Sequence, residues 1–82
     1  MDLNVVGILV EAEDELASAR KEFPDFNSAH EGKAIIEEEL DELWDEIKKK
    51  KRSRGKMRKE ALHVVAMGLR FITDICEEKP HV

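Results

Sequence analysis

Cysteine occurs once in these 82 residues, at Cys76. A single thiol excludes an internal disulfide framework and a cysteine-based zinc site. It reads as a small buried residue near the chain end, in keeping with a reducing cytoplasm. Proline stands only at Pro24 and Pro80, glycine occurs four times and tyrosine not at all. So few breakers in a chain rich in Glu, Lys, Leu and Ala favour helices over sheet. There is no run of about 18 apolar residues, so no segment is expected to span a membrane. The opening "MDLNVVGILVEAEDE" has neither a basic start nor a small-residue cleavage site, which argues against a secretory signal.

What is present is a chain 41% hydrophobic and 40% charged, too rich in ordered apolar positions for a disordered tail. Its length suits one small domain, 1–82, whose core is marginal alone, so self-association is expected. The net charge of −5 conceals a sharp division. Residues 37–46 carry seven acids, and residues 48–59 carry nine bases.

Hydrophobic spacing predicts three helices. The first, about 3–22, places Val5, Leu9, Ala12, Leu16, Ala19 and Phe23 on one side. Pro24 ends it, and "PDFNS" connects it to the next. Ser28 with Glu31 reads as a capping box opening a second helix over about 29–50. That helix carries the stripe Ile36, Leu40, Leu43 and Ile47, with Trp44 as added core. A basic loop, "KRSRGK", leads to a third helix over about 57–77, which is apolar almost all round and should be buried on several sides. The tail "EEKPHV" reads as frayed. The expected architecture is all-α, a three-helix chain forming an oligomeric bundle of four-helix type.

In the second helix Glu39 and Glu42 are three apart, and Glu46 follows four later, so the three share a face. Ile35 lies on the same flank, which suggests that this flank is covered. In the third helix Glu60, His63, Arg70 and Asp74 fall within about 80° at 100° per residue, with Met67 on the same line. Such a strip is either a solvent edge or a functional seam inside a bundle. Three carboxylates and an imidazole suit Mg²⁺ or Mn²⁺, the imidazole favouring Mn²⁺. On spacing alone, a solvated acidic face is the readier explanation, and Glu37, Asp41 and Asp45 fit that description. The basic run is ambiguous in the same way. It lacks interleaved aromatics, and the overall charge is negative, so a nucleic-acid partner is disfavoured. His30 reads as a surface residue of the first turn.

"HEGKAIIEEELDELWDEIKK" followed by "MRKEALHVVAMGLRFITDI" resembles the MazG-like nucleotide pyrophosphohydrolases of the all-α NTP pyrophosphatase group. The resemblance covers about residues 29–75. That family carries Glu-Glu-x-x-Glu on one helix and Glu-x-x-Asp on the next. Here "EELDE" supplies Glu38, Glu39 and Glu42, and "EALH" supplies Glu60 and His63. The resemblance implies hydrolysis of (deoxy)nucleoside triphosphates to the monophosphate and pyrophosphate. It implies Glu39, Glu42, Glu60 and His63 as ligands of Mg²⁺ or Mn²⁺, and Glu38 as the catalytic carboxylate that takes a proton from water. Lys56, Arg58 or Arg70 would offset charge on the pyrophosphate, and a homodimer or homotetramer would complete each bundle. His63 stands where the pattern has Asp and brings one negative charge fewer. That substitution supports the competing expectation of a catalytically impaired nucleotide-binding or protein-interaction module.

Overall fold

The computed structural model describes residues 2–77, and every regular element among them is helical. The expected fraying of the tail falls, apart from Glu77, outside the described residues. Helix α1 spans Leu3–Glu22. Asp2 caps it by accepting the Asn4 N–H at 2.7 Å. Phe23 ends it in extended backbone, the conformation that a following proline demands.

Helix α2 spans Ala29–Ile47, and Ser28 Oγ accepts the Glu31 N–H at 3.1 Å. The return bond of the expected capping box goes elsewhere: the Glu31 carboxylate accepts from the backbone and side-chain amides of Asn27. Helix α3 spans Arg54–Phe71, beginning earlier than the spacing predicted because Ser53 caps it through Lys56 N–H. Gly55 therefore belongs to a first helical turn, and the loop shrinks to residues 48–52. The chain then continues into a π-helical turn, Ile72–Cys76, closed by Glu77 N–H on the Ile72 carbonyl at 2.9 Å.

Helix α3 is the central element and packs against both α2 and α1. Phe26, Ala66 and Met67 are buried together, flanked by Ala19, Ile35, Ile36, Phe71 and Ile75. Ile35 is thus covered, as its position suggested. Within the single chain, several apolar residues expected in the core lie on outer faces with nothing to pack against. Trp44 is 56% exposed rather than core, and Leu40, Val5, Leu9 and Phe23 are exposed with it. Helix α3 is not enclosed on all sides, since Val65 and Ile72 face outward. Cys76 is exposed, not buried. No helix among the described residues is long and apolar enough to cross a membrane.

The connection between α1 and α2 is pinned to the end of α3 by a buried charge network. The Asp74 side chain is 2% exposed. It accepts the Phe26 N–H at 3.1 Å and lies 2.8 Å from the Arg20 guanidinium and 3.7 Å from Arg70 Nε. Arg70, 5% exposed, donates to the Pro24 carbonyl and stacks over the Phe26 ring at 4.1 Å. Burial pushes the Asp74 carboxyl up, but the Phe26 N–H and the two guanidinium groups outweigh it and hold the carboxyl below its ordinary value.

Gly32 marks another close approach. A Cβ there would lie 2.5 Å from Phe71 Cδ2 and 3.2 Å from Phe26 Cδ2. Gly32→Ala should lower stability by about 1–3 kcal/mol through overpacking. Gly7→Ala, with nothing within 4 Å of the new methyl, should raise it by about 1 kcal/mol through helix propensity. Urea titrations followed by circular dichroism check both signs. Asp74→Ala should cost about 3 kcal/mol at neutral pH by stranding the buried Arg70 guanidinium. Because the folded carboxyl is depressed, its stabilisation is complete above its ordinary value of 3.8 and vanishes as pH falls through the folded value. The same titrations repeated at descending pH should show wild type and variant converging in that acid range.

Candidate metal centre

The polar strip of α3 faces into the bundle, and it divides into two ends. Arg70 and Asp74 form the network just described. Glu60 and His63, two to three turns earlier, point at α2. There the ligand atoms of Glu39, Glu42, Glu60 and His63 all lie within 4.8 Å of one another. His63 Nδ1 is 3.4 Å from Glu60 Oε2 and 3.7 Å from Glu39 Oε2. Glu39 and Glu42 share a face of α2 at three residues, as do Glu60 and His63 on α3, and these faces meet where α2 packs on α3.

The cluster is electrostatically unfinished. Glu39 Oε2 and Glu60 Oε2 are buried and have no hydrogen-bond partner. Among the described residues no lysine or arginine lies within ion-pair distance of Glu39, Glu42 or Glu60, although bases are abundant. Lys33 pairs with Glu37, Lys48 with Asp45 and Lys49 with Glu46, all away from the cluster. Burial raises the Glu39 carboxyl above its ordinary value, and the charges of Glu42 and Glu60 add to that; His63 opposes it. Orphaned carboxylate oxygens and an imidazole, gathered in a half-buried site, are the donor set of an oxygen-preferring divalent ion, and they fit Mg²⁺ or Mn²⁺.

The remaining predicted residues separate. Glu38 is exposed at the rim of a cleft that Glu39 also lines. Lys56 is exposed in the first turn of α3. Arg58 turns toward α1 and forms a two-pronged ion pair with Glu11. Arg70 lines the cleft, but its guanidinium is committed to Pro24, Phe26 and Asp74. Glu46 lies beyond the cluster and is paired with Lys49.

Two cavities of about 350 and 340 Å³ flank Glu39, and they share Ala19, Phe23, Glu39 and Met67. They form one cleft between α1 and α2, floored by α3, with Phe26 and Ile35 as an apolar wall on one side and Glu15, Ser18 and His63 on the other.

Sequence reasoning missed Glu15, whose Oε2 lies 3.4 Å from His63 Nε2. A signal was present: Glu11, Glu15, Ser18 and Glu22 repeat at helical spacing, one residue ahead of the α1 apolar stripe. No family model, no curated protein and no solved structure matches the chain.

Because the fold raises the Glu39 carboxyl, the ionised form is disfavoured by folding. Its contribution is therefore fully favourable below the ordinary value of 4.5 and is lost as pH rises through the folded value. Without metal at neutral pH, Glu39→Gln should melt higher than wild type, and the gap should close as pH approaches 4.5. Added Mn²⁺ should raise the wild-type midpoint and leave the variant nearly unmoved. Thermal melts across this pH range, with and without Mn²⁺, measure both effects.

Proposed function

We propose that the chain is a metal-dependent nucleoside triphosphate pyrophosphohydrolase of MazG-like type, which converts (d)NTP to (d)NMP and pyrophosphate. The observation that carries this reading is the convergence of Glu39, Glu42, Glu60 and His63 within 4.8 Å, with no lysine or arginine paired to these carboxylates among the described residues. A Mg²⁺ or Mn²⁺ ion bound there would offset phosphate charge and acidify a water.

The chain's own groups divide the remaining work. Glu39, Glu42, Glu60 and His63 would hold the ion, and Glu39 and His63 among them line the cleft. Glu38, exposed at the rim of the cleft, takes the role of accepting a proton from the attacking water in this reading. The wall of Phe23, Phe26, Ile35 and Met67 offers an apolar surface for a base and sugar. Lys56 supplies positive charge from the start of α3. Arg58 reaches phosphate by leaving Glu11, a solvent-exposed pair that gives way at small cost. Arg70 serves the fold and leaves phosphate binding to these two.

The chain acts as a homodimer or homotetramer in this reading. Leu3, Val5, Val6, Ile8, Leu9 and Val10 crowd exposed apolar surface onto the first half of α1, and Leu40 and Trp44 add more on α2. A second copy covering these faces would complete a four-helix arrangement. Light scattering should return at least twice the 9.4 kDa chain mass, and Leu9→Asp with Val10→Asp should lower it.

One observation favours a second reading, a nucleotide-binding or protein-interaction module without turnover: His63 brings no negative charge to the cluster. Pyrophosphate release from a panel of dNTPs with Mg²⁺ or Mn²⁺ separates the two. The enzyme reading expects release that falls by at least about 10²-fold in Glu39→Gln and Glu42→Gln, as loss of a metal ligand does. Release that is absent in wild type and appears in His63→Asp establishes the second reading instead.

A further inference from the structure

Accepting the metal site above, one carboxylate near it has no role as a ligand. Glu15 stands on α1, outside the α2–α3 pair that supplies the cluster. Its Oε2 lies 3.4 Å from His63 Nε2, while His63 Nδ1 faces Glu39 and Glu60. The imidazole is therefore bracketed: carboxylates of the cluster at one nitrogen and a carboxylate of a different helix at the other. Glu15 has no Lys or Arg partner among the described residues, so it is available to the imidazole. Ser18, three residues on, lines the same cavity wall.

We propose that Glu15 is a positioning residue for His63. It accepts the Nε2–H, so that Nδ1 presents its lone pair to the ion, and the pair stands in electrically for a carboxylate at that position. A neutral imidazole has one lone pair and one N–H, and which nitrogen carries the hydrogen is set by the partner of the other. A carboxylate at Nε2 fixes that choice and raises the basicity of Nδ1. The unit of His63 and Glu15 then carries one negative charge, which a lone histidine would not. The imidazole also alters selectivity. Mg²⁺ prefers oxygen and sheds water reluctantly, whereas Mn²⁺ accepts nitrogen more readily. The site is accordingly a Mn²⁺-preferring one, and Glu15 maintains that preference from α1.

This inference depends on the metal reading, and calorimetry can sink either one separately. Mn²⁺ and Mg²⁺ are titrated into wild type, Glu15→Ala, Glu15→Gln, His63→Asp and the double variant Glu15→Ala/His63→Asp, with circular dichroism confirming helix content. Wild type should bind Mn²⁺ more tightly than Mg²⁺, and His63→Asp should narrow that ratio. Glu15→Ala should weaken Mn²⁺ binding about 10- to 100-fold, the usual effect of removing a histidine's outer partner. Glu15→Gln, whose amide oxygen still accepts from Nε2–H, should recover much of the loss. In the His63→Asp background, removing Glu15 should no longer weaken binding. Nitrogen NMR of the Zn²⁺-loaded protein adds a readout independent of affinity. His63 should be protonated at Nε2 in wild type and lose that fixed assignment in Glu15→Ala.

Equal Mn²⁺ affinity in wild type and Glu15→Ala overturns the proposal and leaves the metal site intact. So does an equal loss in the His63→Asp background, which would make Glu15 a ligand in its own right. Absence of any divalent binding by wild type removes the metal reading itself.

Discussion

The carboxylate of Asp74 is nearly sealed from water, and three positively polarised groups converge on it: the Phe26 N–H, the Arg20 guanidinium and Arg70. Each comes from a different stretch of chain. Arg20 lies at the end of α1, Phe26 in the connection, and Arg70 in the last turn of α3. A buried charge left without such partners is strongly destabilising, so the network is all-or-none in character. It fixes where α1 turns back and how α2 leaves. Because α2 and α1 both depart from this point along α3, their height and rotation at Glu60 and His63 follow from it. The two ends of the α3 polar strip lie about 16 Å apart, at 1.5 Å per residue from His63 to Asp74. The first end is satisfied by the chain and holds the fold. The second is not satisfied, and the proposed chemistry requires that difference.

Much of the fold was legible because helix signals are local. Ser28 and Glu31, Pro24 after Phe23, and the apolar spacing of α1 each act within a turn or two. The start of α3 was misplaced because Gly55 looked like a turn residue, whereas Ser53 two residues earlier already supplied the cap. Burial was less legible. Trp44 and Cys76 belong to residue types that are usually inside, but whether a face is covered depends on elements that lie far away in sequence. The Glu39, Glu42, Glu60 and His63 quartet was readable, since two spacings of three on adjacent helices have to meet if the helices pack. The resemblance implied Arg70, with Lys56 or Arg58, as a group offsetting charge on the pyrophosphate. The burial of Arg70 follows from the aromatic ring of Phe26 and the Pro24 carbonyl, neither of which advertises itself. Glu15 was missed because α1 was scanned for its apolar stripe, and the neighbouring polar line was not set against the strip of α3.

The charge segregation along the chain has a physical order. The acids of 37–46 divide by face. Glu37, Asp45 and Glu46 meet lysines placed three or four residues away on the same helix or its end. These pairs are solvent-accessible and contribute little energy each, but they use the bases nearest to the acidic helix. Arg58 of α3, an exposed base, is paired with Glu11 of α1. The inner face is thereby left with carboxylates and one histidine. If the bases had been distributed evenly, an arginine beside Glu39 or Glu60 would have satisfied the orphaned oxygens and stabilised the fold. It would also have occupied the place of a divalent ion.

That arrangement carries a cost which bears on why α3 has His63 in a strip otherwise suited to a fourth acid. Burial already raises the Glu39 carboxyl, and the charges of Glu42 and Glu60 add to it. A fourth within the same few ångströms would push the metal-free chain further toward opening, in a domain whose buried apolar core is small. A neutral imidazole at that position adds no further negative charge to the cluster. Placing the compensating charge on Glu15, across the ring, keeps it farther from the other acids than a direct ligand would be. Repulsion falls with distance, while the effect transmitted through the ring to Nδ1 remains. The geometry thus limits the number of acids at the cluster to what this thin three-helix core can sustain.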